Sequence, residues 1–304
     1  TVAKILGMPM EHNAEMEAIA MEKGFDALFP PDVEKEAGEI AKAGITEKDI
    51  KDRRDMREIT TFTIDPEDAK DFDDALSFQK LPNGHVEIGI HIADVAHYVR
   101  VGTALDDEAR RRGTSVYLVD RTIPMLPEEL SNGLCSLNPN VDRLTFSSIF
   151  EMDMSGVVYN EWFGRTVIYS DKRFTYEGAQ KVLDDKKGEF FEELSILNSI
   201  GKKLLKKRYE DGAISLEQEE VKFKLDENGI PLSVYTKERG DTHKLIEEFM
   251  LLANRRVAEH MSKINKGKGG VFVYRIHDTP NKEKMQYLVT FLKRLGYNMK
   301  LKDG

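Results

Sequence analysis

Only one cysteine, Cys135, and one tryptophan, Trp162, occur among the 304 residues. A single thiol cannot close an internal disulfide, and its scarcity suits a reducing cytoplasm. Cys135 lies in an apolar stretch, where cysteine is more often a small packed hydrophobe than a nucleophile. No run of about 18 apolar residues is present, so no transmembrane helix is expected. The chain opens without a basic-then-apolar leader. Neither GxGxxG nor GxxxxGK followed by Ser or Thr occurs, so use of a nucleoside triphosphate is unsupported. There is no internal repeat and no low-complexity tract. Positive charge is also short: 45 Lys and Arg against 54 Asp and Glu, net −9. That balance is awkward for a polyanion-binding surface, which needs Lys and Arg at phosphates. The basic residues do cluster locally, at Arg110-Arg111-Arg112, Lys202-Lys203 with Lys206-Lys207-Arg208, Arg255-Arg256 and Lys263 to Lys268. Such clusters are more often solvated helix faces than nucleic-acid contacts.

What the chain does have is a concentration of acid between two apolar segments. Asp65, Glu67, Asp68, Asp71, Asp73 and Asp74 fall within ten positions, with only Lys70 to balance them. Residues 59–64 alternate like a strand, and Ala75-Leu76-Ser77-Phe78 resumes one. Pro66 stops the first strand, because proline cannot donate to a sheet ladder. A charge run is ordinarily a solvated loop. Here hydrophobic segments enclose the acids, Phe72 sits among them, and the strand-like stretch 86–99 adds His91 and Asp94. A loop so crowded with carboxylates repels itself, and a hard divalent cation offsets that best. An EF-hand is excluded by the missing central glycine and terminal glutamate. Oxygen-only donors argue against zinc, which prefers His and Cys. Magnesium or manganese in a phosphate-handling site fits better.

Around that loop the pattern predicts a mixed α and β domain with a largely antiparallel sheet. A short strand is expected at residues 2–6, then helices over 12–23, 31–43 and 46–54. Thr46 and Asp49 are spaced as a capping box. Strands are expected at 76–80 and 86–93 around Pro82-Asn83-Gly84, a helix at 105–112 and a strand at 116–119. A long hairpin over 144–152 and 158–168 follows, then helices at 175–183 and 190–209. Residues 221–225 and 232–235 should pair around Asn228-Gly229. The longest helix is expected at 241–264, with Ile246, Met250, Ala253, Val257 and Met261 on one face. A strand at 271–274 and a helix begun by Thr279 and Pro280 close the chain. His91, alone on its strand face, is more often a hydrogen-bonded structural residue than a ligand. Asp94 could cap the next turn or join the acids.

Thr63-Ile-Asp-Pro-Glu-Asp-Ala-Lys-Asp-Phe-Asp-Asp-Ala75 resembles the signature of the ribonuclease II / ribonuclease R family, the RNB catalytic domain. The resemblance continues through Gly89-Ile-His-Ile-Ala-Asp-Val-Ala-His-Tyr-Val99. It extends to Gly113-Thr-Ser-Val-Tyr-Leu-Val-Asp-Arg-Thr-Ile-Pro-Met-Leu-Pro127 and Leu130-Ser-Asn-Gly-Leu-Cys-Ser-Leu-Asn-Pro139. It covers nearly the whole chain and leans toward the ribonuclease R branch. It implies an α+β RNB-type fold and processive, magnesium-dependent hydrolysis of single-stranded RNA from its 3′ end to 5′-mononucleotides, with manganese able to substitute. By motif match, Asp65, Asp71, Asp73 and Asp74 are the catalytic acids and metal ligands. Asp65 and Asp74 would bind metal directly, Asp71 through water or a second ion, and Asp73 would matter most for turnover. Tyr117 matches the family tyrosine that stacks near the last nucleotides, and Phe223 aligns with its aromatic partner. Residues 1–48 read as a connecting arm after a cold-shock-type barrel, and 49–304 as the catalytic domain. The family motif Ser-Pro-Ile-Arg-Arg-Tyr does not occur, and Thr1 and Gly304 are not evident termini, so a fragment of a longer and more active protein is expected. Two rivals remain: a catalytically silent RNA-binding module that keeps the loop for folding, and a different metal-dependent phosphodiesterase, for example one acting on DNA.

Overall fold

The computed structural model describes residues 4–214, 220–226, 231–237, 239–266, 270–276 and 278–300. Three helices come first: α1 His12–Glu22, α2 Pro31–Ala43 and α3 Glu47–Lys51. Pro31 opens α2 where its missing N–H costs nothing. Thr46 and Asp49 form the reciprocal cap of α3. Then come β1 Arg54–Asp55, β2 Thr61–Asp65, β3 Asp74–Lys80 and β4 Val86–Ala93. After α4 Val95–Tyr98 and α5 Ala104–Arg112, a small hairpin pairs β5 Val116–Tyr117 with β6 Thr122–Ile123. A π-helical turn, Glu129–Leu134, leads into β7 Asp142–Met152, β8 Val158–Tyr169 and β9 Lys172–Thr175. Helices α6 Tyr176–Asp185 and α7 Phe191–Glu210 follow. The strands β10 Glu220–Leu225 and β11 Pro231–Lys237 precede α8 Asp241–Asn265 and α9 Lys282–Arg294.

Seven strands make one sheet in the order β1-β8-β7-β4-β3-β2-β9. Its interior pairings are antiparallel, and only the two edge pairings, β1 with β8 and β2 with β9, are parallel. Alternation along the strands sorts residues to two faces. One face carries Phe62, Leu76, Phe78, Ile88, Ile90 and Phe150, which pack under Ala179 of α6, Leu194, Leu197 and Ile200 of α7, and Phe249 of α8. The other carries Ala75, Ile149 and Ile168, packed with Met56, Phe72 and Leu137. A third cluster joins α2 and α5 to Leu144 and Val167 at one end of the sheet. Compact packing divides the chain at Val257, and Ala258–Gly304 forms a second, smaller unit.

Several expectations change where a non-local partner decides the outcome. Residues 4–6 and 270–276 carry no strand. Val271 and Val273 are almost fully exposed with no ladder partner, and an apolar alternation without a partner does not make a strand. The last helix is capped by the Asn281 side chain on Lys284 N–H, not by Thr279, so it starts after Pro280 rather than with it. The strand expected at 116–119 stops at Tyr117, because Leu118 N–H turns back to the Arg121 carbonyl. The Asn228-Gly229 turn lies outside the described residues, although the strands beside it pair antiparallel.

Several polar residues turn out to be structural. His91 is fully buried between the Ser77 and Ser147 hydroxyls, and burial lowers its pKa to about 3. Asp94 neither caps the next turn nor joins the acids; it pairs with Arg53, both side chains almost fully buried, at 2.7 Å. Arg112 is buried too, bonded to Glu108 and to the Leu28 carbonyl and stacked on Phe29.

Candidate active site

The acid loop joins neighbouring antiparallel strands, so its first and last acids end up at one rim of the sheet. Asp65 closes β2 and Asp74 opens β3, where it pairs with Ile92 of β4. The loop between them is tied down from distant parts of the chain. Ser136 Oγ accepts from Phe72 N–H at 2.9 Å and donates to the Lys70 carbonyl at 2.8 Å. Leu137 N–H reaches the Phe72 carbonyl, and Ala93 N–H reaches that of Asp73. From β9, Arg173 donates to the carbonyls of Pro66 and Glu67 and lies over the Phe72 ring. The Phe72 side chain is buried in the cluster with Met56 and Leu137. A loop with that many anchors holds its carboxylates in place instead of letting them swing into water.

The electrostatics follow from that confinement. Burial pushes Asp65 up to about 7, and the nearby Asp74 and Asp73 charges add to the rise. The Thr63 hydroxyl and the Arg173 guanidinium pull the other way and do not win. Neither Asp65 Oδ2 nor Thr63 Oγ1 completes a hydrogen bond of normal geometry, though both are buried. Burial raises Asp74 to about 6, with Asp73 contributing. Asp73 rises as well, from burial and from Asp71. A buried carboxylate oxygen without a partner is costly; Asp65 has one, and the half-buried Asp74 and the exposed Asp73 crowd the same rim.

Asp71 is reached by a residue that the motif match singled out. Tyr117 Oη donates to Asp71 Oδ2 at 2.7 Å, and the acceptor pushes the phenol up to about 12. The Tyr117 ring remains 64 % exposed. Phe223 stands elsewhere, half exposed on β10, where it pairs with Val234 of β11. Sequence reasoning missed four contributors. Ser136 and Arg173 anchor the loop. Tyr176, pushed up to about 12 by burial and by Asp74 and Asp65, faces the same acids and stacks on His243 at 3.9 Å. Of these, Ser136 lies inside the Leu130–Pro139 motif; the other three carry no local signal.

Among the described residues, no three His, Cys, Asp or Glu side chains stand close enough to enclose an ion as they are placed. The donor chemistry nonetheless suits one. The groups are hard oxygens, they repel each other, and Asp65 presents a buried oxygen with no partner.

The family model described as the RNB domain matches residues 53–303. The chain belongs to the RNB family. Ribonuclease R of Thermotoga maritima is 43 % identical over 308 residues, covering 98 % of this chain and 42 % of that protein. The Arabidopsis thaliana protein named Inactive exonuclease DIS3L2 is 38 % identical over 276 residues, covering 86 % of this chain and 26 % of its own length. Among solved structures, Mycoplasma genitalium RNase R in complex with ribose-methylated single-stranded RNA superposes with a TM-score of 0.89 at 26 % identity. That match covers 100 % of this chain and 47 % of the other. The RNB chain thus spans less than half the length of each of these relatives. Its mixed, largely antiparallel sheet with flanking helices is the RNB fold.

Proposed function

We propose that this chain carries the catalytic acids of a hydrolytic exoribonuclease that degrades single-stranded RNA from the 3′ end to 5′-mononucleotides. The observation that carries the reading is the anchored rim of mutually repelling aspartates, with the buried Asp65 Oδ2 left unpartnered. Asp65 and Asp74 would hold magnesium, or manganese in its place, directly. Asp71 would act through water or on a second ion. Bound divalent ions supply a more acidic water and stabilise charge developing on the phosphate. The chain's own residues do the positioning. Asp73, the last residue of the loop before β3, would order the reacting phosphate and water through its carboxylate. Tyr117 donates to Asp71 and so fixes that carboxylate, while its exposed ring is available to a base. Phe223 offers a second ring, and stacking suits single-stranded RNA because every base has a π-face. We take residues 1–48 as an arm and 49–304 as the catalytic portion. Cys135, buried and pushed up to about 12, is inert and fits a reducing cytoplasm.

The second reading is a silent RNA-binding module, and a relative named as inactive gives it weight. The presence of all four aspartates favours the enzyme. Single-stranded RNA and DNA oligomers, incubated with excess protein in magnesium or in chelator, separate these readings. RNA should shorten from its 3′ end only in magnesium, and DNA should persist. RNA bound but never shortened would support the silent module. Equal loss of DNA would overturn the ribonuclease assignment.

A further inference from the structure

Tyr117 stands on a hairpin too short to hold itself. β5 and β6 pair over two residues each, Val116 with Ile123 and Tyr117 with Thr122, and two strands alone are marginal in water. The hairpin is held from outside. At its base Ile123 is buried, and Arg112 of α5 donates to the Pro124 carbonyl at 3.2 Å. At its tip Leu118 N–H closes the turn on the Arg121 carbonyl, and α1 reaches that turn with two side chains. His12 Nε2 lies 2.8 Å from Asp120 Oδ2, and Arg121 Nη2 donates to Asn13 Oδ1 at 2.7 Å. Both residues of α1 lie ahead of residue 53, where the RNB match begins.

A turn residue is ordinarily solvated, yet the Asp120 side chain is only 11 % exposed. Arg121 holds the Asp120 carboxyl below its usual range, and the His12 hydrogen bond acts in the same direction. Asp120 is thus the acceptor and the His12 ring the donor. His12 and Arg121 both bond to Oδ2, while the buried Oδ1 makes no hydrogen bond among the described residues. Arg121 belongs to the same turn, so its bond to Asp120 cannot fix the turn to another element. The contacts with His12 and Asn13 do that. Tyr117 comes directly before the turn, and its Oη donates to Asp71 Oδ2 at 2.7 Å. Its exposed ring has little packing to fix it, so the course of the hairpin decides where the hydroxyl lands. One chain of contacts therefore runs from α1 through the turn to Asp71.

We propose that His12 and Asp120 are positioning residues for hydrolysis: their contact, with that of Asn13 and Arg121, sets the hairpin so that Tyr117 keeps Asp71 in its working orientation. This assignment rests on the ribonuclease reading of the acids, and it brings a helix outside the family match into the reaction. Both residues act through Tyr117, not on the phosphate.

The test is a mutant cycle read by single-turnover hydrolysis of a labelled single-stranded RNA, with protein in excess and magnesium present. His12→Ala with Asn13→Ala cuts both ties and should lower the rate about 10-fold, within the roughly 10²-fold that a misplacement of about 1 Å can cost. Tyr117→Phe keeps the ring, removes the bond to Asp71 and should lower the rate by a similar factor. All three changes together should lower it no further than Tyr117→Phe alone, because residues that act through one another are not additive. RNA affinity should change little throughout, since the loss is in the reacting arrangement. His12→Gln, which keeps an N–H donor on a side chain of similar reach, should retain the parent rate. Hydrogen exchange at Leu118 N–H should quicken when both ties are cut. A parent rate and parent exchange in that variant would overturn the positioning role and leave the ribonuclease reading standing. So would losses that multiply to about 10²-fold in the triple variant, or a rate that falls only as folded protein is lost in thermal unfolding. A parent that hydrolyses no RNA in magnesium would overturn the ribonuclease reading, and this inference with it.

Discussion

Asp73→Asn should lower RNA hydrolysis by at least about 10²–10³-fold while leaving RNA affinity within a factor of about two, the pattern of a contact made in the transition state. Asparagine keeps the size of the side chain. The backbone bond from Ala93 N–H to the Asp73 carbonyl does not involve it, so the loop should keep its shape. What is lost is a charge that burial and Asp71 already oppose. The fold tolerates that opposition, and catalysis is the reason we assign to it. Single-turnover hydrolysis and equilibrium binding of the same labelled RNA separate the two effects. Parent-like hydrolysis by the variant would remove Asp73 from the mechanism.

Asp65→Asn should raise the stability of the metal-free protein. The carboxyl of Asp65 is pushed up to about 7 in the folded chain, against an ordinary 3.8. The folded state therefore holds a proton that the unfolded state has lost between those values. Stability from this group is full below about pH 4 and declines as pH rises through 7. At one unit per 1.36 kcal/mol the ceiling is about 4 kcal/mol, and partial hydration reduces it to about 2. The metal-free variant should thus be more stable than the parent by about 2 kcal/mol at pH 8. For a chain of this size that is roughly 4 °C in melting temperature. The gap should close near pH 4. Added magnesium should reverse the order, because it stabilises by mass action only the protein that binds it. A variant no more stable than the parent at pH 8 in chelator would show that Asp65 carries no such strain.

What can be read from the sequence depends on the range of the interaction. The acid loop, its flanking strands and the Thr46–Asp49 cap are local patterns, and the structure has them where the sequence puts them. The fold class follows from the same alternation and from helix lengths. The anchors of the loop are not readable in this way. Ser136 binds a backbone 64 residues away and Arg173 one 106 residues away, and no local spacing encodes either contact. Asp94 shows the same limit: its partner, Arg53, lies 41 residues earlier. Arg110-Arg111-Arg112 looks like one basic surface, yet Arg112 is buried and Arg111 is held by Glu108. The apparent strand at 271–274 fails for want of a partner.

The central claim is that the aspartates of this rim form a divalent-cation site, and a calorimetric titration of magnesium tests it most directly. The titration is best run at pH 6.5 in buffers of different ionisation enthalpy, with manganese in parallel. Asp65, pushed up to about 7, is largely protonated at that pH, and a ligating carboxylate must lose its proton. Binding is expected at millimolar magnesium or below, with release of between half a proton and one proton, about the share Asp65 holds. Both the heat and the proton release should disappear in Asp65→Asn. No heat at millimolar magnesium, or binding unchanged in Asp65→Asn, would contradict the claim.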